Sequence, residues 1–260
     1  RRAIPTPHKG TPKARTVPPK ETAMKLIYTA SQVREAEKPY IEAADYDGYL
    51  MQRAADAVAA EAQDLLHGKE NAKILLLIGP GNNGADTIYA GARLSAKGHR
   101  VDAVIFDPSE KNLELIAREG GEGTRVLDPE HTHEQLAGAG EYLGVLRAAQ
   151  LDGKLGAVLA VDTPSGVDNN RGTVHEPSLR ADRTVTFIGH KLPAGTSHSV
   201  HSGDIKLYDL GVPEALDAHK PALRVLDRED YRELIEIPDE HSHKYWACSP
   251  VASNTPAQPS

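Results

Sequence analysis

The sequence predicts an α/β protein, a three-layer αβα Rossmann-like fold around a mainly parallel sheet. Short apolar runs alternate with segments of helical periodicity from Lys73 onward. One run, Ile74-Leu75-Leu76-Leu77-Ile78, passes straight into Gly79-Pro80-Gly81-Asn82-Asn83-Gly84-Ala85-Asp86, and a helical pattern follows at once. A second run ends in the turn Asp162-Thr163-Pro164-Ser165-Gly166-Val167-Asp168. Strands separated by helices form a parallel sheet covered on both faces. Ligands of such sheets bind beyond the carboxyl ends of the strands, where the strand order switches.

The elements follow in order. Thr29 and Gln32 have the spacing of a capping box and open a short helix expected to end before Pro39. Leu50, Ala54, Val58 and Leu65 recur at near-helical spacing and predict a helix over 49–66. Strand 73–78, helix 85–97, strand 101–106, helix 112–118 and strand 124–127 come next. A helix over 134–150 precedes strand 157–161. Further strands are expected at 184–187 and 205–208, and a helix at 228–234. No internal repeat is present.

Composition bounds the function. The net charge of −7 and the isoelectric point near 5.9 disfavour a nucleic-acid backbone as partner. Few aromatic residues leave little to stack single-stranded bases. One cysteine, Cys248, excludes an internal disulfide framework and suits a reducing cytoplasm. No apolar run approaches a membrane span, and no signal-peptide core is present. Residues 1–23 are basic and proline-rich, and are expected to be a disordered extension preceding a start at Met24. Residues 24–238 form the expected domain and 239–260 a disordered tail.

In the first turn, glycines let the backbone approach an anion, and N–H groups at the helix start point at it. A bare glycine pattern here is a weak signal. The Asn82-Asn83 amides and the Asp86 carboxylate sharpen it, because a carboxylate repels a pyrophosphate at that position. The site is therefore built for something beyond a phosphate. In the second turn, Asp162 lies where strand-end carboxylates act. Pro164 and Gly166 are expected to direct carbonyls and the Ser165 hydroxyl into the cleft. Neutral oxygens suit a weakly held cation.

These two turns resemble the YjeF N-terminal domain, the NAD(P)H-hydrate epimerases. The segment 49–55 on the early helix, the run Thr184-Val185-Thr186-Phe187 followed by Lys191, and Asp209-Leu210-Gly211 add to the resemblance, which spans residues 24–211. It implies interconversion of the R and S epimers of NADHX and NADPHX, dinucleotides hydrated at nicotinamide C6, in metabolite repair. It implies substrate contacts from Asn82, Asn83, Gly84, Ala85, Asp86 and Asp162, and a potassium ion held by Asn83 and Ser165. It also implies a homodimer. Inverting a carbinolamine-type carbon needs a proton-transferring carboxylate, and Asp162 is assigned that role, with Asp86 assisting.

Three departures from the family pattern stand out. Ala85 and Thr87 replace smaller residues, which would crowd the ligand unless the helix accommodates them. Between strands 124–127 and 157–161 the family carries a further strand ending in a turn with a potassium-binding Asp; here that strand is missing, so the sheet loses a member and activity is expected to be impaired. Residues 239–245 look like the entry to the dehydratase domain of bifunctional repair enzymes, whereas 246–260 match nothing there. Codons permitted for that tail can spell a dehydratase-like opening in a shifted frame. The expectation is a frameshifted product, with 239–260 the remnant of a linker to a lost dehydratase domain.

Two alternatives belong to other classes. An NAD-dependent oxidoreductase would use Asp107, about twenty residues beyond the glycine turn, on the ribose. A non-catalytic nucleotide-binding or scaffold module would need neither carboxylate. The histidine pairs 131/133, 198/201 and 241/243 lack partners with metal-ligand spacing, so no transition metal is assigned. Lys191 is expected either to reach a phosphate or to lie at the surface.

Overall fold

The structure, a computed structural model, describes residues 24–106, 110–119, 124–127, 139–226 and 230. Residues 26–224 belong to one compact unit, and residues 19–25 and 225–260 to a second that lies mostly outside the described range. The extensions 1–23 and 239–260, the helix expected at 228–234, Asp107, Cys248 and two of the histidine pairs all lie outside the described residues, Asp230 alone excepted.

Strand β1 (Lys25–Tyr28) leads into helix α1 (Ala30–Ile41). The capping box forms as its spacing predicts. The Gln32 N–H donates to Thr29 Oγ1 at 3.1 Å, and the Thr29 N–H donates to Gln32 Oε1 at 2.9 Å. The helix does not end before Pro39 but runs through it. Pro39 sits in the last turn, where the bond it forgoes would have gone to the carbonyl of Glu35, an exposed residue, so the loss falls at the solvent-facing end of the helix.

Helix α2 (Tyr49–Leu65) buries Leu50, Ala54, Ala57 and Val58, and these mostly small side chains let it pack directly on α3 (Asn82–Ala96). Strands β2 (Lys73–Ile78), β3 (Arg100–Ile105) and β4 (Thr124–Leu127) form one parallel sheet in the order β2-β3-β4, with α4 (Glu110–Glu119) between the last two in the chain. After α5 (Ala139–Leu151), strands β5 (Leu159–Val161), β6 (Arg183–Phe187) and β8 (Asp204–Tyr208) form a second parallel sheet. The two-residue β7 (His190–Lys191) pairs with β1, which has β9 (Leu223–Val225) on its other side. Sequence periodicity does not show β1, β7 and β9, because two to four residues are too few to display an alternation.

The parallel α/β layering agrees with the predicted fold class, but the sheet is divided. Among the described residues, β2 pairs only with β3, and β5 only with β6. The strand expected to be missing between β4 and β5 would fall partly in residues 128–138, which lie outside the described residues. Central strands of parallel sheets are buried on both faces. On β2, by contrast, Leu76 and Ile78 are buried while Leu75 is 39 % exposed.

The core gathers Ile78, Ile88, Leu94, Val101, Val185 and Phe187 between the layers. A buried polar tie crosses it. Glu61 on α2 accepts from Arg183 on β6 at 2.5 Å and from the Tyr208 hydroxyl on β8 at 2.6 Å. Burial and the bond to Glu61 hold that hydroxyl well above the usual tyrosine range. No helix among the described residues is long and apolar enough to cross a membrane.

Candidate active site

The turn after β2 depends on its glycines. Gly81 has φ +87° and ψ −165°, a conformation that a side chain would obstruct, and it makes no side-chain cap. Helix α3 therefore starts at Asn82, three residues earlier than periodicity suggests, and the residues expected to form a turn are its first turn. Gly84 lets that turn close onto the end of β2, since a Cβ there would stand 2.1 Å from the Gly79 carbonyl oxygen. Gly84→Ala is expected to destabilise the protein by about 1–3 kcal/mol through backbone displacement, read as a lower urea midpoint at an unchanged slope.

Asp86, one turn into α3, is 5 % exposed, and its Oδ1 has no hydrogen-bond partner among the described residues. Burial, then the neighbouring charges of Asp162 and Glu37, raise its carboxyl to about 8. A carboxylic acid in such a setting stays protonated at neutral pH.

Asp162, at the end of β5, is bound quite differently. Its φ of +65° is a left-handed conformation for a residue with a side chain, fixed by its N–H donating to the Val185 carbonyl at 2.6 Å. Its Oδ1 accepts from Lys191 Nζ at 2.5 Å and from Thr186 Oγ1 at 3.0 Å, and its Oδ2 accepts from Asn169 Nδ2 at 3.3 Å. Lys191 is 6 % exposed and uses its other protons on Thr186 Oγ1 at 3.0 Å and the Phe187 carbonyl at 2.9 Å. The lysine thus neither reaches a phosphate nor lies at the surface. It is a buried counter-ion that holds the Asp162 carboxylate in place.

These groups share one cavity of about 400 Å³, whose polar lining comprises Arg34 and Glu37 of α1, Asn82, Asn83 and Asp86 of α3, and Asp162, Asn169, Asn170 and Lys191. Val33 and Ile41 of α1 and Leu50 and Met51 of α2 supply an apolar wall. A cavity lined by both polar and apolar side chains suits a heterocycle that carries a reacting polar group.

The YjeF-related protein N-terminus family matches residues 48–129 and 130–192. The chain belongs to this family. An NAD(P)H-hydrate epimerase of Microbacterium testaceum is 34 % identical over 75 % of this chain and 82 % of its own length. A bifunctional NAD(P)H-hydrate repair enzyme of Mycobacterium leprae is 29 % identical over 85 % of this chain but 48 % of its own length. The chain therefore spans about half the length of the bifunctional relatives it matches. The crystal structure of yeast ynu0 shares the fold, with a TM-score of 0.55 at 17 % identity over 70 % of this chain and 86 % of that one. The family match divides between residues 129 and 130, inside the interval where the sequence lacks a strand.

Within this YjeF-type site, Asn82, Asn83, Asp86 and Asp162 line the one cavity. Gly84 and Ala85 do not line it: Gly84 packs against the Gly79 carbonyl, and Ala85 is 1 % exposed in the core. The helix thus accommodates the Ala85 methyl. Thr87 donates to the Asn83 carbonyl at 2.7 Å rather than intruding on the cavity. Ser165 is exposed on its turn and does not line the cavity, contrary to the expectation that the Pro-Ser-Gly turn aims its hydroxyl inward. On the same turn, Thr163 Oγ1 and Asn169 Oδ1 are buried oxygens without partners among the described residues. Ser165 thus stands apart from the cavity that Asn83 lines. His201 bonds Ser178 through Nδ1 at 3.2 Å and is a satisfied core histidine.

Glu37, Asn169, Thr186 and the role of Lys191 escape the sequence reading. Only Glu37 leaves a signal: it falls on the stripe Val33, Ala36, Glu37, Tyr40, at i, i+3, i+4 and i+7, where an apolar residue is expected.

Proposed function

We propose that this chain interconverts the R and S epimers of NADHX and NADPHX, with Asp162 and Asp86 as the reacting pair and Asn82 and Asn83 contacting the substrate. The observation that carries this reading is the contrast between two carboxyl groups on one cavity, a buried Asp86 whose Oδ1 has no partner among the described residues and an ion-paired Asp162. Neighbouring carboxyls in such different settings divide into acid and base. The family relatives named as epimerases support the substrate class.

The chemistry balances without a redox partner. Asp86 gives its proton to the C6 hydroxyl, the C6–O bond breaks, and the N1 lone pair forms an N1=C6 iminium and a water. The cation is stabilised by the fixed Asp162 carboxylate. When water returns, its oxygen bonds C6, the π pair goes back to N1, and a carboxylate takes the released proton. The apolar wall would hold the ring and limit access of bulk water.

No step passes through potassium. The ion implied by the resemblance would rest on Asn83 and Ser165, and is expected to bind weakly because both are neutral oxygen ligands. A homodimer is likewise part of the proposal, and light scattering of the purified protein tests it.

The test is to incubate one purified epimer with the chain and follow its partner by chiral chromatography, in KCl and in NaCl at equal ionic strength. Interconversion faster than in buffer, with a small response to potassium, is the expected result. Interconversion at the buffer rate would refute the activity.

A further inference from the structure

The proposed reaction has a stereochemical requirement that Asp86 and Asp162 do not meet alone. Both project from carboxyl ends of strands, Asp86 in the first turns after β2 and Asp162 directly after β5. Water returning past the same pair regenerates the starting epimer. Inversion needs water to add to the other face of the iminium, and a base there to take its proton.

We infer that Glu37 on α1 is this second-face base, a further catalytic residue of the reaction proposed above. Four observations place it in that role. It lines the same cavity as Asp86 and Asp162 but comes from a different element. It occupies an apolar-stripe position of an amphipathic helix, between buried Val33 and Ala36 and half-buried Tyr40. No hydrogen bond or salt bridge holds it among the described residues, so no structural pairing accounts for a carboxyl there. The charges of Lys191 and Asp162 act on it and its own acts on Asp86, which sets it within electrostatic reach of all three. The charged groups around it are Asp162 just after β5, Asp86 of α3, Lys191 of β7 and Arg34 of its own helix. Burial raises its carboxyl while the Lys191 ammonium draws it back. That balance suits a group that must accept a proton and release it again.

In the forward direction Asp86 loses a proton to the leaving hydroxyl and Glu37 gains one from the entering water. In reverse, Glu37 protonates the hydroxyl on its own face and a carboxylate of the strand-end pair accepts the proton. Solvent exchange resets either group between turnovers.

Glu37→Gln keeps the shape and removes the base. In ¹⁸O-enriched water with a single epimer, the wild-type chain is expected to incorporate label with inversion. The variant is expected to incorporate label at C6 with retained configuration, while inversion falls about a hundredfold with little change in KM. A merely structural role would lower exchange and inversion together. Inversion at the wild-type rate in Glu37→Gln, or equal loss of exchange and inversion, overturns the inference. If the Gln variant does not fold, Glu37→Asp carries the same test, since a shorter carboxylate is expected to keep exchange and lose most inversion. A wild-type chain that neither exchanges nor inverts would refute the proposed activity itself, an outcome visible in the same experiment before any variant is compared.

Discussion

Asp86→Asn is expected to raise the melting temperature and abolish epimerisation in the same protein. In the unfolded chain the Asp86 carboxyl ionises near 3.8, and in the fold it is held at about 8. Between those values the folded state binds one more proton than the unfolded state, so stability falls as pH rises through that window. At pH 7 the group therefore opposes folding by about 4 kcal/mol, an order-of-magnitude figure for a buried group beside two other carboxyls. An amide of the same size does not titrate and escapes most of this. The variant should melt roughly 5–10 °C higher at pH 7 and lose the pH dependence of stability between the two ionisation values. It cannot give a proton to a leaving hydroxyl, so kcat should fall about a hundredfold or more. Calorimetry across this pH range with the chiral assay checks both halves. A destabilised Asn variant would show that Asp86 is there for packing.

Asp162→Asn is expected to abolish activity as well, but with the opposite effect on stability. The side chain anchors Lys191, which is buried with its Nζ on Asp162, Thr186 and Phe187. Removing the carboxylate charge leaves an uncompensated ammonium in the interior, which costs about 3 kcal/mol even with two acceptors retained. The buried pair thus makes the carboxylate matter for the fold as well as for the reaction. The double variant Asp162→Asn with Lys191→Met should recover most of the lost stability and none of the activity. A double variant no more stable than the single one would remove the charge-balance argument. An active Asp162→Asn protein would remove Asp162 from the mechanism.

The two strand-end turns were legible in the sequence because glycine, proline and paired polar residues interrupt apolar runs. That pattern located Asp86 and Asp162 and the layers around them. Periodicity could not place the start of α3, since Gly81 permits the helix to begin inside what reads as a turn. Nor could it show which way Ser165 points, because the orientation of a residue on an irregular turn depends on what packs behind it. Lys191 lies in a two-residue strand, and its partner Asp162 comes from far away in the chain, so nothing local marks it as buried. Glu37 was the exception: a carboxyl on an apolar stripe is visible in the sequence once the helix register is fixed. The interval between residues 127 and 157 shows no apolar run in the sequence, and its residues 128–138 lie outside the described range.

A ¹³C titration of the aspartate carboxyls, assigned through the Asp86→Asn variant, tests the division of roles on this cavity most directly. The account predicts one aspartate titrating at about pH 8 that vanishes in the variant and moves downward in Asp162→Asn. An Asp86 carboxyl that titrates in the ordinary aspartate range, with the others, would contradict it.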